Sequence, residues 1–405
     1  VVAAVVLWAA SAAVVRAAAG ADAPDASSTT KWIDAWGTSF LPTQVNGTVQ
    51  RVPKFENQTA RFIVFSKLAG TAARVKFTNK FETTELAIGA AHIALRADGG
   101  AIVPETDREL TFAGAKAVTI AAGAEVWSDP VTLAVPQHAD VAISVYLPGA
   151  RTPTAFHATG LKTSYLSAAG DFTAAPTMPP AAGNPATTEQ IYFISDIQVM
   201  APARTKVIVA LGDSITDGAN STPNTNSAWP DVLSARLSAL PDGTPVSVLN
   251  MGIGSNRFVS ADAAGPAGSK RFDDDVLARP NVTHLIILEG INDISYEHAP
   301  ADQLIGAYKD VIAKAHARGI KVFGATLLPI QNSRKDTPEN EATRQAVNKW
   351  IREGGAFDAV LDFEKAVQDP ANPLRIRKDL TTDYVHPNSA GYRLMAEAID
   401  LRLFE

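Results

Sequence analysis

The chain contains no cysteine, which removes disulfides, thiolate metal sites and cysteine nucleophiles together. The compartment stays open on that ground, because a chain of 405 residues can stabilise itself by burial alone. An excess of positive charge is missing too: 36 Lys and Arg stand against 42 Asp and Glu. Phosphate-backbone binding needs a basic footprint, so no nucleic acid partner is expected. Long low-complexity tracts are absent, and 46% apolar with 19% charged residues describes a packed chain rather than a disordered one. The length exceeds what one core usually serves, so two domains are the starting expectation.

The most apolar stretch lies at the start. Val1 to Val15 is almost entirely Ala, Val and Leu with one Trp, followed by Arg16 and the small residues Ala17, Ala18, Ala19 and Gly20. The run is short for a bilayer and ends like a cleavage site, so residues 1–23 read as a signal peptide. The expected location is secreted or periplasmic, with no stable membrane insertion once the leader is gone. An N-terminal anchor or a buried helix would give the same run.

From about residue 30 to 200, short alternating segments are separated by Gly, Pro, Asn and Asp. Arg61–Phe65, Arg74–Phe77, Ala117–Ile120 and Val141–Tyr146 read as strands, with turns at Asp98-Gly99-Gly100 and Ala122-Gly123. An all-β sandwich over residues 30–200, jelly-roll-like, is the reading. Asp171–Thr188 is rich in Pro and Ala and reads as a surface loop, after which Ile191–Ile194 resumes strand character.

Beyond Arg204 the period changes. Strand-length apolar runs at Lys206–Leu211, Val246–Leu249, His284–Leu288, Lys321–Ala325 and Ala359–Leu361 alternate with helical segments at Trp229–Leu240, Ala301–Arg318, Glu341–Glu353 and Gly391–Arg402. Such a series folds as a parallel sheet with helices on both faces, here over residues 204–405. In sheets of this kind reactive groups gather beyond the carboxyl ends of the strands.

Three segments fall there, and a fourth lies in the loop before the last helix. Gly212-Asp213-Ser214-Ile215-Thr216-Asp217-Gly218 puts a serine on a strand-to-helix turn, where a helix N-terminus favours developing negative charge. A helix-capping serine would look the same. Asn250-Met251-Gly252-Ile253-Gly254-Ser255-Asn256-Arg257 can bring backbone N–H groups close to a ligand, or simply turn tightly. In Glu289-Gly290-Ile291-Asn292-Asp293 the Asn292 amide can donate to an oxyanion, or form an Asx turn. In Asp383-Tyr384-Val385-His386 a carboxylate three residues before a histidine can hold one ring nitrogen and leave the other free as a base.

Order and placement of these four segments resemble the SGNH (GDSL-type) hydrolase family, across the whole second half of the chain. The resemblance implies a flavodoxin-like fold and a carboxylic ester hydrolase, with Ser214 as nucleophile and first oxyanion donor. Asn292 would be the side-chain donor, His386 the base and Asp383 its orienting partner. The family's donor glycine falls on Ser255; a backbone N–H can still serve there, with Gly254 as the alternative. The first half is similar to the β-domain of a secreted bacterial subset, through Trp32, Trp36, Gly89-Ala90-Ala91-His92 and Ser128-Asp129-Pro130. The lipase elbow G-x-S-x-G does not occur, which disfavours an α/β-hydrolase.

The expected activity is hydrolysis of short-chain acyl esters, with O-acetyl groups of polysaccharides as the main candidate. A short-chain aryl or lipid esterase is the alternative within the class, and a carbohydrate-binding protein with a relic hydrolase domain the alternative outside it. No cofactor and no catalytic metal are expected. Asp273-Asp274-Asp275 reads as a solvated acidic run beside Lys270 and Arg271. His92, His138, His157, His284, His298 and His316, lacking a carboxylate at comparable spacing, read as ordinary residues, with His298 near enough to Asn292 to face the cleft.

Overall fold

The computed structural model describes residues 29–45, 47–181, 186–241, 243–260 and 264–405; the expected leader, residues 1–23, lies outside them. Two antiparallel sheets fill the first half. One is built from Thr30–Gly37, Gly70–Thr78, Glu125–Trp127, Val131–Val135 and Ile194–Pro202. The other is built from Gln58–Ser66, Ala90–Leu95, Arg108–Leu110, Ala139–Leu147, Ser164–Ala169 and Thr187–Thr188. Alternation in sequence becomes alternation in space. Ala73, Val75 and Phe77 of one sheet meet Ala60, Phe62 and Val64 of the other in the main core, while Ile63 points oppositely and packs with Ala94, Ile102 and Ala142.

Two local readings change. The segment Asp171–Thr188 is more than a surface loop: carbonyls of Ala175 and Phe172 accept from the guanidinium of Arg61, a strand residue with no exposed surface. A buried cation must have its donors satisfied, and these loop carbonyls do it. The last strand begins at Ile194, not Ile191, because Phe193 takes a left-handed φ of 64°. Ile191 forms only an isolated bridge to His157.

In the second half Val246–Gly252, Lys206–Gly212, Val282–Leu288, Lys321–Ala325 and Ala359–Leu361 lie in that spatial order, and all four neighbour pairings are parallel. In chain order this is 2-1-3-4-5, the flavodoxin-like arrangement expected. Its switch point lies between the first and third strands, Lys206–Gly212 and Val282–Leu288. The helices pack in two groups, Trp229–Ser238 with Ser389–Glu397 and Ala301–His316 with Pro338–Glu353. The third expected helix starts earlier, at Pro338, because Thr337 caps it by accepting from the Asn340 N–H. The last is shorter: Asn388 caps it at Ser389, it ends at Glu397, and a separate turn follows over Leu401–Phe404. The two halves share one buried apolar cluster.

Candidate active site

Ser214 follows the first parallel strand and opens the short helix Ser214–Asp217. The turn is held by Asp213, which accepts from the Ile215 N–H at 2.9 Å; burial pushes its carboxyl up to about 6 against that hydrogen bond. Two glycines let this turn ride directly on the sheet. A Cβ on Gly212 would meet Thr216 Oγ1 at 2.2 Å and the Leu288 carbonyl at 2.5 Å, and one on Gly252 would meet the Asp217 nitrogen at 2.1 Å. Asn250 ties the same contact, donating to the Thr216 carbonyl at 2.8 Å and accepting from the Gly252 N–H at 2.9 Å.

Ser214 Oγ lies 2.8 Å from His386 Nε2, and His386 Nδ1 lies 2.7 Å from Asp383 Oδ2. The three-residue spacing has a local cause. Asp383 Oδ1 accepts from the N–H groups of Val385 and His386 at 2.9 and 2.8 Å, closing a turn that delivers Oδ2 to the ring. Burial would raise the Asp383 carboxyl, but the ring of His386 and these two N–H groups outweigh it and hold it well below the usual carboxylate range. An ionised Asp383 fixes the proton on Nδ1, so Nε2 accepts from the Ser214 hydroxyl.

The remaining predicted groups follow the second and third parallel strands. The second parallel strand ends in a turn closed by the Asn256 N–H donating to the Ile253 carbonyl at 3.1 Å. Ser255 occupies its third place with φ 64°, the left-handed region that favours glycine. Among the described residues neither the Gly254 nor the Ser255 N–H has a hydrogen-bond partner, so both remain free to donate. Asn292 is buried; its Nδ2 donates to the Asn256 carbonyl at 2.9 Å and its Oδ1 accepts from Lys335 Nζ at 2.8 Å.

Lys335 was not legible as a site residue: it precedes the helix Pro338–Glu353 in a loop without motif. His157 carries no signal in the sequence either, yet its Nε2 lies 3.3 Å from Asp217 Oδ1, on the helix that Ser214 opens. Sequence spacing cannot show a partner that arrives from another element, and His92 with Asp107 and His316 with Asp358 repeat the lesson at 3.0 and 2.8 Å. His298 instead caps the helix Ile291–Glu297 and is exposed. Asp273, Asp274 and Asp275 pair with Lys314, Lys80 and Arg271. No group of three or more potential ligands suited to a metal occurs among the described residues.

The first half reaches the site through its segment 157–163. Thr159 Oγ1 stands 4.0 Å from where Gly254 would carry a Cβ, and the Leu161 carbonyl accepts from the Asn224 N–H at 2.8 Å. A cavity of about 60 Å³ between the halves is lined by Trp36, His157, Leu161, Asp217 and Asn250 but not by Ser214 or His386. Ser214 and His386 are both partly exposed. No helix among the described residues is long and apolar enough to cross a membrane.

Residues 210–394 match the GDSL-like lipase/acylhydrolase family. No curated protein matches the chain. Solved structures similar to it include a protein from Desulfitobacterium hafniense DCB-2, described as lipolytic and of the G-D-S-L family. Identity is 26% over 49% of this chain and 98% of that one, with a TM-score of 0.38. A catalytic mutant of an acetylxylan esterase from Geobacillus stearothermophilus is 21% identical over 50% of this chain and 94% of that one, with a TM-score of 0.37. A carbohydrate acetylesterase family member from Sinorhizobium meliloti is 14% identical over 48% of this chain and 94% of that one, with a TM-score of 0.38. With the four sequence blocks in place on a 2-1-3-4-5 parallel sheet, residues 210–394 of this chain belong to the GDSL-like lipase/acylhydrolase family, a class of carboxylic ester hydrolases.

Proposed function

We propose that the chain hydrolyses short-chain acyl esters through an acyl-enzyme on Ser214, with O-acetyl groups of polysaccharides as the substrate class. The observation that carries this reading is the relay Ser214 Oγ to His386 Nε2 at 2.8 Å and His386 Nδ1 to Asp383 at 2.7 Å. His386 takes the hydroxyl proton as Ser214 attacks the ester carbonyl, forming a tetrahedral oxyanion. Collapse expels the alcohol with the proton held by His386, and water then repeats the sequence to release the acid. The N–H groups of Ser214 and of Ser255 or Gly254, with the Asn292 amide, receive the oxyanion.

The partly exposed serine leaves room for a bulky alcohol on a small acyl group. Export, expected from the leader, agrees with a polymeric substrate outside the cell. The test is a panel of p-nitrophenyl esters of graded acyl length and acetylated glycans, run with wild type and Ser214→Ala. Turnover should be greatest for acetyl, extend to the glycans, and vanish in Ser214→Ala with the fold intact. Preference for long acyl chains would favour a lipid esterase, and undiminished turnover in Ser214→Ala refutes the nucleophile. A chain that turns over no ester and resists labelling at Ser214 by an organophosphonate is a binding protein instead.

A further inference from the structure

We infer that Lys335 is a positioning residue for the reaction, fixing the Asn292 amide so that one of its N–H bonds is held for the substrate oxyanion. This rests on the ester-hydrolase reading above and adds to it a residue outside the four sequence blocks.

An amide side chain has two faces that can be exchanged by a half-turn, and only its neighbours decide which way it points. Here both neighbours are one-sided. Lys335 Nζ carries only donors and lies 2.8 Å from Asn292 Oδ1; the Asn256 carbonyl is only an acceptor and lies 2.9 Å from Nδ2. Reversal would set the NH₂ group against an ammonium and the amide oxygen against a carbonyl, so a single orientation satisfies both. That orientation uses one hydrogen of Nδ2 within the protein and leaves the second for the reacting carbonyl. The ammonium also draws electron density toward Oδ1, which makes the remaining N–H a better donor.

The lysine is itself built in. It is only 3% exposed, its ammonium lies 4.2 Å from the centre of the Tyr296 ring, and its carbonyl accepts from Asn340 Nδ2 at 2.9 Å. No carboxylate forms an ion pair with it among the described residues. A buried lysine whose nearest anion is not a bonded partner costs stability. A positioning task at the reacting centre explains why it stands there.

The test is a double-mutant cycle on hydrolysis of p-nitrophenyl acetate by the full chain, with kcat and KM separated and thermal unfolding followed in parallel. Asn292→Ala should lower kcat about 100-fold. Lys335→Met, of similar length and uncharged, should lower kcat by roughly 10- to 100-fold with KM within about threefold, the pattern of an interaction made in the transition state. In the Asn292→Ala background the same substitution should change kcat by less than about twofold, since there is no amide left to orient. Lys335→Arg, still a cationic donor, should recover most of the loss; if Lys335→Met unfolds, Lys335→Gln takes its place in the cycle. Unchanged kcat in Asn292→Ala removes the oxyanion reading and this inference with it. A large loss in Asn292→Ala with none in Lys335→Met overturns the positioning role alone. Additive losses overturn it too, because they make the lysine act independently of Asn292.

Discussion

Both ring nitrogens of His157 face acceptors only, and one of those acceptors is Asp217, three residues beyond the serine proposed as nucleophile. Nδ1 lies 3.1 Å from the Ser39 carbonyl, and Nε2 lies 3.2 Å from the Thr159 carbonyl and 3.3 Å from Asp217 Oδ1. Only the doubly protonated ring can donate in both directions. Burial opposes the charge, but Asp217 and the two carbonyls outweigh it and raise the pKa above its ordinary value. A residue of the first half thus clamps the helix that Ser214 opens, by a buried ion pair.

That clamp sets a pH dependence of stability. A histidine whose folded pKa is raised contributes fully below its unfolded value of about 6.5, and the contribution is lost as pH rises through the folded value. The thermal midpoint should therefore fall as pH climbs above about 6.5, and the fall should be shallower in His157→Gln. Removing one partner of a buried pair should also cost about 3 kcal/mol at neutral pH, measured by urea unfolding. Parallel pH slopes in the two proteins would show that His157 does not carry the charge.

Asp383→Asn should keep the fold and lose the chemistry. An amide can still accept from the Val385 and His386 N–H groups, but its NH₂ cannot accept from His386 Nδ1, and the ring turns to the wrong tautomer. A drop in kcat of about 10³- to 10⁴-fold with little change in KM is expected. A loss under about tenfold would mean that His386 is oriented without Asp383.

Gly252→Ala and Gly254→Ala form a contrasting pair. The first Cβ would meet backbone of Asp217 at 2.1 and 2.5 Å, the second only Asp217 Oδ2 at 3.9 Å and Thr159 Oγ1 at 4.0 Å. Backbone cannot yield as a side chain can, so Gly252→Ala should cost about 3 kcal/mol and Gly254→Ala less than about 1 kcal/mol. Urea midpoints for the two variants check the order.

Ser255→Gly should leave kcat within about threefold and stability unchanged or raised by up to about 1 kcal/mol. Relief of the left-handed φ is partly offset by the greater freedom of glycine in the unfolded chain. Ser255→Val, β-branched at φ 64°, should lose at least about 1 kcal/mol and, by displacing the turn, activity as well. A valine variant as stable and active as wild type would mean the turn does not hold the conformation described.

Much of this was written locally. Period-two and period-3.6 patterns place the strands 206–211, 246–249 and 284–288 within a few residues of their observed limits, because burial on one or both faces acts residue by residue. The contact of Asp383 with His386 was legible for a similar reason: Asp383 closes its own turn onto His386 through two backbone bonds, so a three-residue spacing carries its own geometry. Helix starts at Pro338 and Ser389 were misplaced because capping by Thr337 and Asn388 outweighed the apolar pattern.

Sequence alone determined the two kinds of sheet, the four segments proposed to bear chemistry, and the pairing of Asp383 with His386, since each depends on neighbours within a few bonds. The fold decided what no spacing records: that Lys335 meets Asn292 across 43 residues, that His157 pairs with Asp217 across the boundary between the halves, and that loop carbonyls satisfy Arg61. A buried charge takes whatever partner packing brings to it, and packing is a property of the whole chain.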